Sequence, residues 1–142
     1  MQIADRIKAD VTAAMKAGER KRVSALRLVL SELQKDAKEG AGDELVVLRR
    51  ERKKRREAEE AYRAAGRDEQ AADEAYEAEA IEAYLPTELS DAELSALVAD
   101  AMAATGASSP RDMGRVIKQV MQAAGGRADG KRVSTKVKEA LN

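Results

Sequence analysis

The stretch Tyr84-Leu85-Pro86-Thr87-Glu88-Leu89-Ser90-Asp91-Ala92-Glu93-Leu94 stops one helical pattern and starts another within a few residues. Proline lacks an amide hydrogen and pushes the residue before it out of helical dihedrals, so the pattern arriving from the N-terminal side is expected to end near Leu85. Ser90 and Glu93 hold the spacing of a capping box, in which the serine hydroxyl accepts from the N–H of Glu93 and the carboxylate accepts from the N–H of Ser90. Leu89 and Leu94 stand where a hydrophobic staple would close around that cap. The chain is therefore expected to divide at about residues 86–89, into an N-terminal helical domain over 1–86 and a small C-terminal three-helix domain over 87–142.

Before the joint, Ile3, Ile7, Val11 and Ala14 recur at helical spacing, and Gly18 ends that run. Val23, Leu26, Leu30 and Leu33, widened by Val29, give a stronger stripe over residues 20–38, and the two helices are expected to form a hairpin. Gly40-Ala41-Gly42 breaks the pattern, after which Asp43 is placed to cap a third helix over about 44–65 whose seam is Leu45, Leu48, Arg52, Arg55 and Tyr62. Gly66 ends it. Asp68 is then expected to cap a fourth helix through residue 84, with Ala72, Ala75, Tyr76, Ala80 and Ala83 as its narrow face. Alanine buries little area and so stabilises little, at about 25 cal/mol per Å², and helices three and four are expected to form an arm.

After the joint, Leu94, Leu97, Val98 and Met102 mark the inner face of a fifth helix that stops at Thr105-Gly106. Ser109 is expected to cap a sixth helix with Pro110 at its first position and Val116, Ile117, Val120 and Met121 buried. Asp129 caps a seventh, with Val133, Val137 and Leu141 inward. The fold class is all-α: a hairpin plus a helical arm, then three helices.

Function is bounded first by what is missing. The 142 residues include no cysteine, histidine, phenylalanine or tryptophan, so disulfides, Cys/His zinc sites, histidine-ligated haem, thiol nucleophiles and imidazole-based triads are excluded. No cofactor, metal or catalytic residue is expected. No apolar run approaches the roughly 20 residues that span a bilayer and no signal pattern opens the chain, so a cytoplasmic protein without membrane attachment is expected.

The 26 basic and 26 acidic side chains cancel, but they are segregated along the sequence. Residues 49–56 hold seven cations and one acid, residues 57–93 hold thirteen acids and two cations, and residues 111–138 hold eight cations and two acids. Within the last block, Arg111, Arg115 and Lys118 share a helical face, and Arg127, Lys131 and Arg132 surround the turn Gly126-Arg127-Ala128-Asp129-Gly130. These six are the candidate nucleic-acid-binding residues. The turn has two readings: a phosphate held at a helix N-terminus among cations, or an ordinary glycine turn capped by Asp129 with its cations in water. Gly114 costs about 1 kcal/mol inside a helix and is explained either by close packing on the seventh helix or by close approach of a nucleic-acid backbone. The 49–56 run is either a solvated face neutralised by the acids of the returning helix or an RNA contact. The three tyrosines, at 62, 76 and 84, are read as packing residues.

Several blocks together resemble the YqeY-like proteins of the GatB/YqeY group. They are Tyr84-Leu85-Pro86 with Leu89-Ser90 and Glu93-Leu94, Ser109-Pro110-Arg111-Asp112-Met113-Gly114-Arg115-Val116, and Gly126-Arg127-Ala128-Asp129-Gly130. Met15-Lys16-Ala17-Gly18, Leu26-Arg27-Leu28, Arg52 to Glu57 and Gly66-Arg67 fit as well. The chain departs from the pattern over residues 69–80, where alanines and acids replace expected leucines. The resemblance implies a C-terminal part similar to the tail domain of the B subunit of the tRNA-dependent amidotransferase, which amidates Glu-tRNA(Gln) or Asp-tRNA(Asn) with glutamine as nitrogen donor. It thus implies tRNA binding without the catalytic parts, with amidotransferase subunits or an aminoacyl-tRNA synthetase as further partners. A protein-interaction module with no RNA ligand is the alternative. An autonomous amidotransferase would need a nucleophile and a nucleotide site that the sequence lacks.

Overall fold

The apolar stripes become helices wherever the sequence carries them. The computed structural model describes residues 2–142 and, among these, holds seven α-helices, one short 3-10 helix and no strand. The protein is all-α. Helices α1 (Ile3–Lys16), α2 (Arg20–Glu39), α3 (Glu44–Ala64) and α4 (Asp68–Glu82) belong to one compact unit, Met1–Leu85. Helix α5 (Asp91–Thr105), a 3-10 turn (Pro110–Asp112), α6 (Met113–Ala124) and α7 (Gly130–Leu141) form the other, Pro86–Asn142. No helix among the described residues is long and apolar enough to cross a membrane.

In the first unit, Ile7 and Val11 of α1 pack with Leu26, Val29 and Leu33 of α2, and Val47, Leu48, Ile81 and Tyr84 complete the core. The start of α1 is closed from a distance. Gln2 at its N-cap makes no side-chain bond; instead Glu44 accepts the N–H of Ile3 at 2.9 Å and that of Ala4 at 2.8 Å. Asp43, next to it, caps α3 by accepting the N–H of Val46 at 3.2 Å. Tyr84 closes the other end of the core, its hydroxyl donating to the Asp10 carboxylate and its ring lying 5.3 Å from the Arg6 guanidinium. Burial, with the Asp10 charge behind it, pushes the phenol up to about 12.

Helices α3 and α4 are joined at their base to that core and continue beyond it as a two-helix arm. Its inner face differs from the expected one. Ala71, Ala78 and Ile81 are buried, whereas Ala72 and Ala83 are exposed and Ala75, Tyr76 and Ala80 half-buried. Ile81 is the one bulky aliphatic side chain of α4, and burying it turns positions 78, 74 and 71 inward with it. On α3 the fully buried residues are Val47, Leu48 and Glu51, while Leu45, Arg52, Arg55 and Tyr62 are only half-buried. Asp68 does not cap α4: Arg67 holds the N-cap position without a side-chain bond, and Asp68 and Glu69 occupy the first turn, where their charge favours the helix dipole.

The second unit is built around α5, α6 and α7. Both bonds of the Ser90–Glu93 capping box are made, at 3.0 and 3.1 Å, and Leu89 and Leu94 enter a shared core with Val98, Val116, Val120, Val133 and Val137. Leu97, Met102, Ile117 and Met121 lie at the edge of this core, and Ala101, Ala124 and Ala128 take buried places. Pro110 opens a 3-10 turn instead of α6 itself. The carboxylate of Asp112 accepts the N–H groups of Ser108 and Ser109 at 3.1 and 3.4 Å, and this tightens the chain before the α-helix can start at Met113. Gly114 does not serve close packing on α7, because a Cβ built there would meet nothing within 4 Å.

Candidate nucleic-acid interface

The turn between α6 and α7 positions three of the candidate cations. Gly125 and Gly126 take left-handed dihedrals (φ 57° and 83°) that only glycine adopts cheaply, and Asp129 caps α7 by accepting the N–H of Arg132 at 2.8 Å. The buried Ala128 anchors the turn. Its carbonyl at Arg127 accepts the N–H of Leu89 at 2.8 Å, and the Arg127 side chain donates through Nε to the Thr87 carbonyl at 2.9 Å and lies 3.7 Å from Glu93. Arg132 donates to Asp91 at 3.0 Å and lies 3.9 Å from Glu88. Both arginines thus tie residues 87–93 to the turn.

The other candidates divide into two places. Arg111, Arg115 and Lys118 lie exposed at the start and along the outer face of α6. Arg115 donates to Asp112 at 2.5 Å, which with the Ser108 N–H holds the Asp112 carboxyl below its ordinary value. Lys131 and Arg132 line a shallow depression of about 320 Å³ at the start of α7 together with Thr135, Lys136, Asp91 and Asp129. Lys136 is absent from the candidates read from the sequence, although its four-residue spacing from Arg132 was the available signal. Among the described residues, Arg111, Lys118, Lys131, Lys136 and Lys138 have no ion-pair partner. The two acids in the depression, Asp91 and Asp129, work against an anion bound within it.

Five cations of the more basic run, 49–56, lie against carboxylates of the first unit. Arg55 bonds Glu51 at 2.8 Å and lies 3.5 Å from Glu77. Arg56 bonds Glu59 at 2.8 Å and Glu82 at 2.9 Å. Arg50 lies 3.8 Å from Glu32, Lys54 lies 3.4 Å from Glu51, and Lys53 reaches Glu57 at 4.0 Å. Much of this pairing comes from α3 itself, at three- and four-residue spacing, as well as from α4. Glu51 is 3% exposed. Burial by itself would raise its carboxyl, but the bond from Arg55 and the charges of Arg55 and Lys54 outweigh it and leave the group below the usual range. Glu74 shows the opposite balance: burial on the inner stripe of α4, then the charge of Glu77, pushes it up.

A family model described as Yqey-like protein matches residues 4–141. No curated protein matches the chain.

Proposed function

The chain belongs to the YqeY-like family, and from that membership we propose that it is an accessory protein that binds tRNA through its second unit, related to the tail of the tRNA-dependent amidotransferase B subunit and without a catalytic site of its own. The observation that carries the proposal is the contrast between the two basic regions. Arg50, Lys53, Lys54, Arg55 and Arg56 of the arm lie against neighbouring carboxylates, whereas Arg111, Lys118, Lys131, Lys136 and Lys138 of the second unit have no ion-pair partner among the described residues.

Such cations give a phosphate-directed, salt-sensitive grip that is blind to sequence. No aromatic residue follows Tyr84, so bases cannot be stacked in this unit and recognition rests on the shape and backbone of folded RNA. The protein would act in the cytoplasm, beside amidotransferase subunits or an aminoacyl-tRNA synthetase. Its part would be to hold the tRNA body, with the amidation chemistry left to the partner.

The test is fluorescence anisotropy of labelled total tRNA at several salt concentrations, with duplex DNA as control. Saturable binding that prefers tRNA and weakens in Lys118→Ala and Lys131→Ala is expected. Absence of binding at low salt, where electrostatic attachment is strongest, refutes the proposal.

A further inference from the structure

The first turn of α2 runs against its own dipole. Arg20, Lys21 and Arg22 occupy it, no acid does, and Glu19 at the N-cap makes no side-chain bond to it. Cations at a helix N-terminus are unfavourable. Two of the three are drawn aside: Lys21 lies 3.1 Å from Asp73 and 4.6 Å from the centre of the Tyr76 ring, and Arg22 lies 3.9 Å from Glu19. Arg20 has no ion-pair partner among the described residues.

Beside it, Met15 at the end of α1 is 55% exposed. The Arg27 guanidinium lies 3.4 Å from its sulfur. These residues belong to an open groove of about 500 Å³ whose lining includes the apolar Ala14, Met15 and Val23 and the cations Arg20 and Arg27. Glu19 is the one acid among the lining residues, and Arg22 lies 3.9 Å from it.

We propose that this groove docks an acidic amphipathic helical segment of another protein, with apolar side chains against Met15 and Val23 and carboxylates toward Arg20 and Arg27. Charge complementarity selects the occupant. The two arginines and the uncapped N-terminus of α2 are both positive, so carboxylates answer both. Methionine is unbranched and polarisable and adapts to varied apolar partners, and a helix laid in an apolar groove is a recurrent mode of peptide recognition. A phosphate would satisfy the arginines but leave the apolar side chains uncovered, and no aromatic side chain lines the groove to stack a base. The docking surface lies wholly in the first unit and does not depend on the tRNA reading of the second.

The test uses the full chain with 13C-methyl methionine and a synthetic peptide of about 16 residues carrying leucines at three- and four-residue spacing with glutamates on their flanks. The Met15 methyl signal is expected to move saturably while those of Met102, Met113 and Met121 stay still. The double variant Arg20→Glu/Arg27→Glu is expected to weaken the peptide by about tenfold or more, as is replacing the peptide's leucines with serine. Arg20→Glu places an acid where the dipole of α2 favours one, so lost binding with an unchanged melting curve cannot be put down to misfolding. Four outcomes would overturn the proposal: no saturable Met15 shift at millimolar peptide, equal binding of a lysine-flanked peptide, a Met15 shift with tRNA or phosphatidylglycerol vesicles but not with peptide, or one that follows protein concentration alone.

Discussion

Replacing Glu44 removes the carboxylate that closes the start of α1, and the loss can be sized from the structure. Both oxygens accept backbone N–H groups, those of Ile3 and Ala4, at 2.9 and 2.8 Å. A hydrogen bond to a charged group is worth about 1.5–3 kcal/mol net. Here the amides are only part-buried, so water recovers much of the loss and the upper end of the capping range, about 2 kcal/mol, is the better figure for Glu44→Ala. Glu44→Gln keeps one carbonyl acceptor but turns an amide nitrogen toward the other N–H and removes the charge that favours the dipole of α1, so about half that loss is expected.

For a unit of this size, about 2 kcal/mol lowers the melting temperature by roughly 8–16 °C. The transition of the second unit should not move. Thermal denaturation followed by ellipticity gives the global figure, and amide hydrogen exchange at Ile3 and Ala4 gives the local one. A fall of under about 2 °C for Glu44→Ala, or unchanged exchange at those two amides, would mean that water caps the helix as well as the carboxylate does. The account of α1 would then be wrong.

Four other outcomes are expected. Lys118→Ala and Lys131→Ala should each lower the slope of log affinity for tRNA against log salt by about 0.7–0.9 without changing the melting curve, whereas Arg127→Ala and Arg132→Ala should lower the melting temperature of the second unit, because they break ties to Thr87 and Asp91. Gly114→Ala should raise stability by up to about 1 kcal/mol in chemical denaturation, since open space surrounds that position. The bonds that Glu51 and Glu59 make within α3 should weaken in acid: their carboxyls lie below their ordinary values, so their contribution is complete above the unfolded value of about 4.3 and is lost as the pH falls through the folded ones, which hydrogen exchange on α3 would report. Ala78→Leu should cost about 1–3 kcal/mol in chemical denaturation by forcing bulk into a fully buried position of the arm.

Local chemistry made most of the helices legible. The stripes of α1, α2 and α7, the Ser90–Glu93 box and the caps at Asp43 and Asp129 all depend on residues within a few positions of one another, and each is present in the structure. What depends on distant partners was hidden. Glu44 reads as a favourable charge in the first turn of α3, and nothing in its neighbourhood tells of the two amides some forty residues away. The face of α4 was set nearly on the opposite side of the helix, because alanines stand all round it and carry little orienting information, while the isolated Ile81 decides the burial. The candidate cations were visible as a charge block, but their partition was not: Arg127 and Arg132 are tied to Glu93 and Asp91, acids in the first turn of α5, with all of α6 between them in the sequence.

The arm also bears on how this sequence can change over generations. Its two helices meet over Ala71 and Ala78 and are tied by two cross-helix pairs, Arg56 with Glu82 and Arg55 with Glu77. A single reversal at either member leaves two like charges facing each other, while reversing both restores the attraction. Substitutions in this segment are therefore expected to be accepted in pairs, so that identity erodes quickly while the sum of charge and the two small residues persist. The arm should diverge by compensated exchange, at a tempo set by the wait for the second change.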